Sequence, residues 1–145
     1  MDKGVYTLVF SNNRCSVPVG SLGTIGFRRG WLIYIGSARG PGGFARVRRH
    51  LRLSQERDRL PRWHVDRLLL SPCFTLRHVV CGTCDADLEC ALVAALGGEI
   101  VPSFGSSDCR CPSHLLHRSA DPLEEVTRAM SSLGLLPRSV KHIKG

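Results

Sequence analysis

Acidic side chains, long apolar runs and internal repeats are scarce or absent in this sequence of 145 residues. Aspartate and glutamate number 12 against 20 lysines and arginines, so the formal net charge is +8 and the pI is about 9.6. No apolar run approaches the length of a membrane span. Residues 1–4 lead directly into a strand-like run, so we also expect no secretory leader. These features argue against membrane, repeat and disordered classes.

Positive charge is what the sequence has in excess. A basic field attracts polyanions, which predicts nucleic acid, DNA first, as the partner, with an anionic membrane surface second on charge alone. We expect no membrane partner. A merely solvated basic surface has the same composition. Hydrophobic residues make up 43% of the chain, enough for one domain with a core. We assign residues 1–136 to that domain and residues 137–145 to a basic flexible tail.

The number of cysteines bears on the compartment. Seven is an odd number, which suits reduced thiols or metal ligands in the cytoplasm better than a disulfide framework. A cytoplasmic location is therefore expected.

Apolar patterning predicts an α+β fold, in which a small, mainly antiparallel sheet is flanked by helices. Strand-like runs lie at residues 4–10, 15–19, 23–27, 31–35, 74–81 and 99–102, with an extended segment at 113–117. Helical patterns lie at residues 44–53, 61–70, 85–96 and 121–134. In the third helix, the expected buried stripe consists of Leu88, Ala91, Leu92 and Ala95.

Residues 30–51 read as a strand, a glycine-rich turn and a helix. The chain has two tyrosines, Tyr6 and Tyr34, each in a strand-like segment. Arg46 and His50 stand four positions apart on the helix and therefore share a face. Adjacent strands could bring both phenols to one site facing a phosphate-binding arginine and a proton-transferring histidine. Strand tyrosines are also common half-buried sheet residues, and an arginine and a histidine at this spacing are typical of a solvated helix face.

Glu89 borders the apolar stripe of the third helix. A carboxylate there is usually paired or solvated, but it also offers an oxygen ligand for Mg²⁺, which prefers carboxylate and water. The residues alone leave both readings open.

A cysteine and histidine loop offers a second candidate site. Cys109, Cys111 and His114 lie within six residues of one another, and the Cys81–Cys84 pair has the spacing of a zinc knuckle. Together they could hold Zn²⁺. The alternative is that the thiols are reduced and that His114 has a packing or capping role. The spacing alone favours this alternative.

Several motifs in the same order resemble the GIY-YIG nuclease superfamily, in particular a small branch sometimes fused to endonuclease III-type glycosylases. The residues that carry this resemblance are Gly4-Val5-Tyr6, Tyr34-Ile35-Gly36-Ser37-Ala38, Arg46, Arg49-His50-Leu51, Trp63-His64-Val65-Asp66, Glu89-Cys90 and Phe104-Gly105-Ser106-Ser107-Asp108-Cys109-Arg110-Cys111-Pro112-Ser113-His114-Leu115. Two departures stand out. The interval between the tyrosines is long, which requires an inserted hairpin, and the asparagine expected after the glutamate helix has no counterpart near residues 102–104.

The resemblance implies hydrolysis of DNA phosphodiester bonds with one Mg²⁺ or Mn²⁺ ion. Tyr6 and Tyr34 would act on the attacking water, Arg46 would stabilise charge on the phosphate, and Glu89 would hold the ion. His50 matches a histidine of GIY-YIG restriction enzymes. The hallmark positions add Gly36, Ser37, His64 and Asp108 as cleft candidates. A place in DNA repair, beside repair proteins, follows from the glycosylase fusions.

The basic residues expected to bind nucleic acid are Arg39, Arg48, Arg49 and Arg52, together with Arg46, Arg62 and the tail lysines. Two hypotheses from other classes stand beside the nuclease. One is a catalytically inactive nucleic-acid-binding module with the same fold, and the other is a zinc-stabilised interaction protein.

Overall fold

The computed structural model describes residues 3–38, 43–57, 60–61, 63–104 and 112–140. Its elements, in chain order, are β1 (Gly4–Asn12), β2 (Cys15–Pro18), β3 (Thr24–Phe27), β4 (Gly30–Ser37), α1 (Ala45–Glu56), α2 (His64–Leu70), β5 (Phe74–Thr83), α3 (Glu89–Leu96), β6 (Leu115–Arg118), α4 (Leu123–Ser132) and β7 (Pro137–Val140). A single 3₁₀ turn, Gly20–Leu22, joins β2 to β3.

The main sheet has five strands in the order β6-β4-β1-β5-β7, and each neighbouring pair is antiparallel. The predicted α+β class with a small antiparallel sheet is confirmed. Strand β1 lies at the centre, and its side chains alternate between the two faces. Because both faces are covered, the two sets are equally buried.

Two hydrophobic clusters lie on opposite faces of this sheet. One joins Tyr6, Leu8 and Phe10 of β1 to α1, α2 and the β2–β3 hairpin. The other joins Val5 and Val9 of β1 to α3 and α4. The sheet is thus the middle layer of a three-layer arrangement. No described helix is long and apolar enough to cross a membrane.

The long interval between the tyrosines is taken up by the β2–β3 hairpin, as the sequence predicted. The hairpin forms its own two-stranded sheet with Cys15 opposite Phe27 and Pro18 opposite Thr24. Its buried Val17 and Phe27 pack against the cluster on the α1 face. The insertion therefore leaves β1 and β4 directly paired.

The third helix differs from its prediction. It begins at Glu89 rather than at residue 85, and its buried positions are Leu92, Val93 and Leu96. Of the stripe expected from sequence only Leu92 is fully buried, and Ala95 is exposed. Nearly every position of this helix is apolar, so its sequence pattern does not single out one face. Gly97 ends the helix at φ +60°, as expected.

The chain after α4 also differs from the expectation. Residues 137–140, assigned from sequence to a flexible tail, form the edge strand β7, paired with Val79–Gly82 of β5. Pro137 begins this strand, a position at an edge where proline is tolerated. Residues 141–145 lie outside the described part. The strand expected at 99–102 is reduced to one bridge, between Ile100 and Leu116.

Candidate active site

The two tyrosines lie side by side on the α1 face of the sheet. In the β1–β4 register Tyr6 is opposite Gly36 and Leu8 is opposite Tyr34, so both phenol rings project from the same face. The ring centroids are 6.4 Å apart. Of the two readings that the sequence left open, the one that brings both phenols together matches the structure, and it results from the strand register.

Tyr6 and His50 form a buried pair. The phenol Oη lies 2.8 Å from Nε2 of the imidazole, and the two residues are 1% and 0% exposed. Burial, followed by the nearby Tyr34, raises the pKa of Tyr6 well above its usual value. Burial also lowers the pKa of His50 to about 4, against a smaller opposing effect of Asp66. Both groups are therefore neutral at pH 7.

The other ring nitrogen of His50, Nδ1, is buried and has no hydrogen-bond partner among the described residues. When Nε2 accepts the phenol proton, this nitrogen carries the histidine's own proton in an apolar setting. An unpaired buried donor costs about 1–3 kcal/mol, so the site holds His50 at some expense of stability.

Arg46 places a cation at the edge of this pair. Its guanidinium is on the exposed face of α1 and donates from Nη1 to the carbonyl of Ser37, 3.2 Å away. Its Cζ also lies 5.0 Å from the ring centroid of Trp63. These two contacts hold the charge against Ser37 and Trp63, beside the buried pair.

Trp63 connects the arginines to the buried pair. Its ring packs edge-on against His50, with centroids 5.9 Å apart, and Arg49 lies over it at 4.3 Å. The indole is 38% exposed. It therefore belongs to the layer of side chains that shields His50 from solvent.

Asp66 is a buried carboxylate that binds both Arg49 and the backbone of Trp63. It is 0% exposed and accepts two hydrogen bonds from Arg49, at 3.0 and 2.9 Å. The same carboxylate accepts the backbone N–H of Trp63 at 3.0 Å, at the start of α2. The guanidinium of Arg49, expected from sequence to bind nucleic acid, is directed inward by this bidentate pair.

Glu89 lies on the Tyr34 side of the site, half-buried in the first turn of α3. Burial raises the pKa of Tyr34 to about 12; Arg46 opposes this, and Asp66 and Glu89 add to it. Within the described residues no group of three or more His, Cys, Asp or Glu side chains could hold a metal ion. A single carboxylate fits Mg²⁺ or Mn²⁺, since water and phosphate oxygens can complete an oxygen shell. It is a poor fit to a closed, all-protein site.

The cleft candidates divide between described and undescribed residues. Gly36 and Ser37 lie beside Tyr6 and Arg46. The ring of His64 packs at 5.7 Å against Phe104, which in turn contacts Tyr34 at 6.2 Å, so His64 lines the same side. Arg39, Arg62, Asp108, Cys109, Cys111 and the tail lysines lie outside the described residues.

The remaining predicted basic residues are Arg48 and Arg52, both exposed on α1. They stand one turn apart on the same side of the helix, and we call this exposed pair the α1 arginine face. Arg52 also pairs with Glu56 one turn later. Arg48 and Arg52 are thus exposed, whereas Arg49 is directed inward, and the binding of nucleic acid by this surface stays a prediction.

Sequence reasoning assigned no role to three residues that build the site. Trp63 and Asp66 stood within a recognised motif, and Phe104 began another. Their contacts join positions far apart in the chain, such as Arg49 and Asp66. The aspartate three positions after Trp63, at the start of a helix, was the available signal for a capping role.

Comparisons with known proteins place the chain in a family. No curated protein matches it, and no solved structure does. Among protein-family models, DUF123, a domain of unknown function, matches residues 5–135. That range contains every described residue of the candidate active site and nearly the whole chain. The chain therefore belongs to the DUF123 family.

Proposed function

We propose that this protein is a metal-dependent endonuclease of the GIY-YIG type that hydrolyses phosphodiester bonds in DNA. The observation that carries the proposal is the bond between Tyr6 and His50, with Tyr34 and Arg46 beside it. Four side chains suited to phosphoryl chemistry come from two strands and one helix. A site of this kind needs a proton acceptor for water and a fixed cation for the phosphate.

The protonation states define how the pair would work. Because the pKa of Tyr6 is raised, the phenol is not ionised before the reaction. The water would pass its proton to Oη while the phenol passes its own proton to Nε2 of His50. The water oxygen then bonds to phosphorus as the bond to the leaving sugar oxygen breaks, and that oxygen takes a proton from solvent. Burial, Arg49 and Arg46 disfavour the imidazolium formed in this step, and the nearby charge of Asp66 opposes them.

Arg46 supplies the cation for the phosphate in this scheme. Its guanidinium is held by Ser37 and Trp63, so its geometry is set before substrate binds. Glu89 would hold Mg²⁺ or Mn²⁺, and the ion, when bound, neutralises charge on the phosphate oxygens.

The α1 arginine face supports DNA as the substrate, since it adds exposed positive charge to the helix that carries Arg46 and His50. We place the activity in the cytoplasm and in DNA repair. Four described cysteines, Cys15, Cys73, Cys81 and Cys84, are not in disulfides, but Cys90 is in one, so the cysteines do not by themselves indicate a reducing compartment.

One observation favours a second candidate, a nucleic-acid-binding module without catalysis. Tyr6 and His50 are almost completely shielded from solvent. Water therefore reaches Oη only if the side chains around Trp63 move apart. A pair that stays buried would support the fold and leave the arginines to bind DNA. Cleavage assays separate the two candidates.

The test uses labelled single-stranded, duplex and branched DNA with Mg²⁺ or Mn²⁺. Tyr6→Phe, Arg46→Ala and Glu89→Ala should each lower cleavage at least about 100-fold while Tyr6→Phe leaves binding intact. Glu124→Ala and Arg128→Ala, at exposed positions of α4 on the other face of the sheet, are the matched controls. Cleavage by Glu89→Ala at the parent rate would refute the metal assignment. Binding without cleavage by the parent would establish the inactive module.

A further inference from the structure

A polar pocket lies at the end of the main sheet that is opposite to the proposed active site. It forms where β1 ends at Asn12, β4 begins at Gly30 and β5 begins at Phe74. Its volume is about 580 Å³, within the range of about 300–1,000 Å³ that is typical of small-molecule sites. The lining residues that determine its chemistry are Ser11, Arg29, Trp31, Thr75, Arg77 and Ser119.

The pocket is separate from the proposed active site. Tyr6 and Asn12 are six positions apart on β1, which corresponds to about 20 Å along the strand. Ser11 is two positions after Val9, so its side chain is on the α3 and α4 face of the sheet, whereas Tyr6 is on the α1 face. A ligand that contacts Ser11 therefore does not contact the buried pair of Tyr6 and His50.

Two arginines give the pocket its charge. Arg29 and Arg77 are both exposed, and neither forms an ion pair with another described residue. Arg77 donates from Nε to Oγ of Ser11 at 2.9 Å, which positions the guanidinium and leaves its terminal nitrogens for a ligand. No carboxylate is among the pocket's lining residues in the described part of the chain. The acidic residue that follows β6, Asp121, instead hydrogen-bonds to His78 at 3.1 Å.

We propose that this pocket binds a sugar phosphate, with Arg29 and Arg77 on the phosphate group. A phosphate monoester carries a charge of about −1.5 to −2 at pH 7, which two guanidinium groups match. A carboxylate would leave one of these charges uncompensated. The paired N–H groups of arginine also fit two phosphate oxygens at once. The pocket is larger than a phosphate group, so an organic part fits beside it.

Hydroxyl groups and an aromatic ring favour a sugar as the organic part. Ser11 and Thr75 are cross-strand partners, and Ser119 follows β6, so three hydroxyls that can each donate and accept line one pocket. The ring of Trp31 stacks on His78, with centroids 6.3 Å apart and planes 8° from parallel. A fixed indole beside hydrogen-bonding groups suits the mixed polar and apolar surface of a sugar.

Two sources present this chemical group. One is a free sugar phosphate or mononucleotide, and the other is the 5′-phosphorylated end of a DNA strand. Neither source has to be cleaved for the pocket to bind it, so the proposal does not rest on the proposed nuclease activity. Binding is therefore measured without divalent metal ions.

Isothermal titration calorimetry of the full chain with ribose 5-phosphate tests the pocket. The parent should bind one ribose 5-phosphate per chain and should bind ribose at least about 10-fold more weakly. Arg29→Gln and Arg77→Gln should each weaken binding at least about 10-fold, because a charge-assisted contact with the phosphate is lost. Ser11→Ala should have a smaller effect, since it removes only the hydrogen bond that positions Arg77. Arg138→Gln is the matched control, an exposed arginine opposite Cys81 near the other end of β5.

Two single-stranded oligonucleotides of one sequence, with a 5′-phosphate or a 5′-hydroxyl, identify the source. Tighter binding of the phosphorylated strand by the parent, with the difference lost in Arg77→Gln, supports the proposal with a strand end as the ligand. Equal binding of the two strands, with ribose 5-phosphate still bound, supports it with a free sugar phosphate as the ligand.

Arg46→Ala separates this pocket from the proposed active site and should bind ribose 5-phosphate as the parent does. Loss of binding in Arg46→Ala but not in Arg29→Gln would place the phosphate at the active site and overturn the proposal. No binding by the parent, or parent-like binding by both Arg29→Gln and Arg77→Gln, would also overturn it. Circular dichroism checks that each variant is folded, and if Arg77→Gln does not fold, Arg29→Gln decides.

Discussion

The ring of Tyr6 lies across the backbone of Gly36, so close that a Cβ on Gly36 would overlap Cζ and Oη of the tyrosine. The two residues are cross-strand partners in the β1–β4 register. The absence of a side chain at Gly36 therefore allows the phenol to lie flat over β4 and reach His50. The packing of Tyr6 therefore explains why glycine follows Tyr34-Ile35 in this motif.

Gly36→Ala should displace Tyr6 and break its bond to His50. Because the added methyl meets a buried ring, we expect a loss of about 1–3 kcal/mol in the free energy of unfolding, measured by urea denaturation. Any nuclease activity should fall with it. Gly26→Ala is the control, since its Cβ would meet only Oγ of Ser16 at 3.9 Å. Equal stability of the two variants would contradict this account of Gly36.

His50 should make stability depend on pH. Its folded pKa is about 4 because burial disfavours the imidazolium, while the unfolded value is about 6.5. The unfolded chain therefore binds more protons between these values, so stability falls as pH drops from about 6.5 to about 4 and the loss levels off below that. The contribution of His50 to this loss approaches about 3 kcal/mol.

Urea denaturation between pH 7 and pH 4.5 measures this dependence. His50→Gln removes the titrating group, so the variant should lose much less stability than the parent over the same range. The same substitution at half-buried His64 controls for the loss of an imidazole. A parent and a His50→Gln variant with parallel pH profiles would show that His50 is not buried in its neutral form.

Asp66 should be among the residues most costly to change. Asp66→Asn weakens a buried carboxylate that pairs with Arg49 and accepts the N–H of Trp63. Removing one partner of a buried pair costs about 3–5 kcal/mol, and we expect the lower end because Arg49 remains 22% exposed. Urea denaturation of both single variants and the Asp66→Asn, Arg49→Met double variant gives the coupling energy. Additive losses would show that the pair is not coupled.

The sequence predicted the parts of the fold that depend on local pattern. The alternation around Tyr6 and Tyr34, the turn after Asn12 and the helical spacing from Val47 onward each depend on neighbouring residues. The hairpin followed from the length of chain between two strands that had to pair. The tyrosines therefore came together as expected, since the strand register is fixed by which side chains must be buried.

The parts that sequence could not predict depend on tertiary contacts. Strand β7 is four residues long and forms by pairing with β5, so its own pattern carries little signal. The inward orientation of Arg49 requires Asp66, which is 17 residues away. The neutral state of His50 results from burial among residues distant in sequence, among them Trp63, which packs edge-on against its ring. Each of these is determined by what lies nearby in space.

The α1 arginine face should determine how DNA binding responds to salt. Arg48→Gln with Arg52→Gln removes two exposed charges, and each phosphate contact contributes about 0.9 to the slope of log affinity against log salt. We expect the slope to fall by at most about 2, and by less where Arg52 is already paired with Glu56. Arg128→Gln is the matched control, because Arg128 also pairs with a glutamate four positions away, Glu124, but lies on the opposite face of the sheet. Fluorescence anisotropy with labelled duplex DNA at several salt concentrations measures the slope. An equal reduction in Arg128→Gln would show that the binding surface is not on α1.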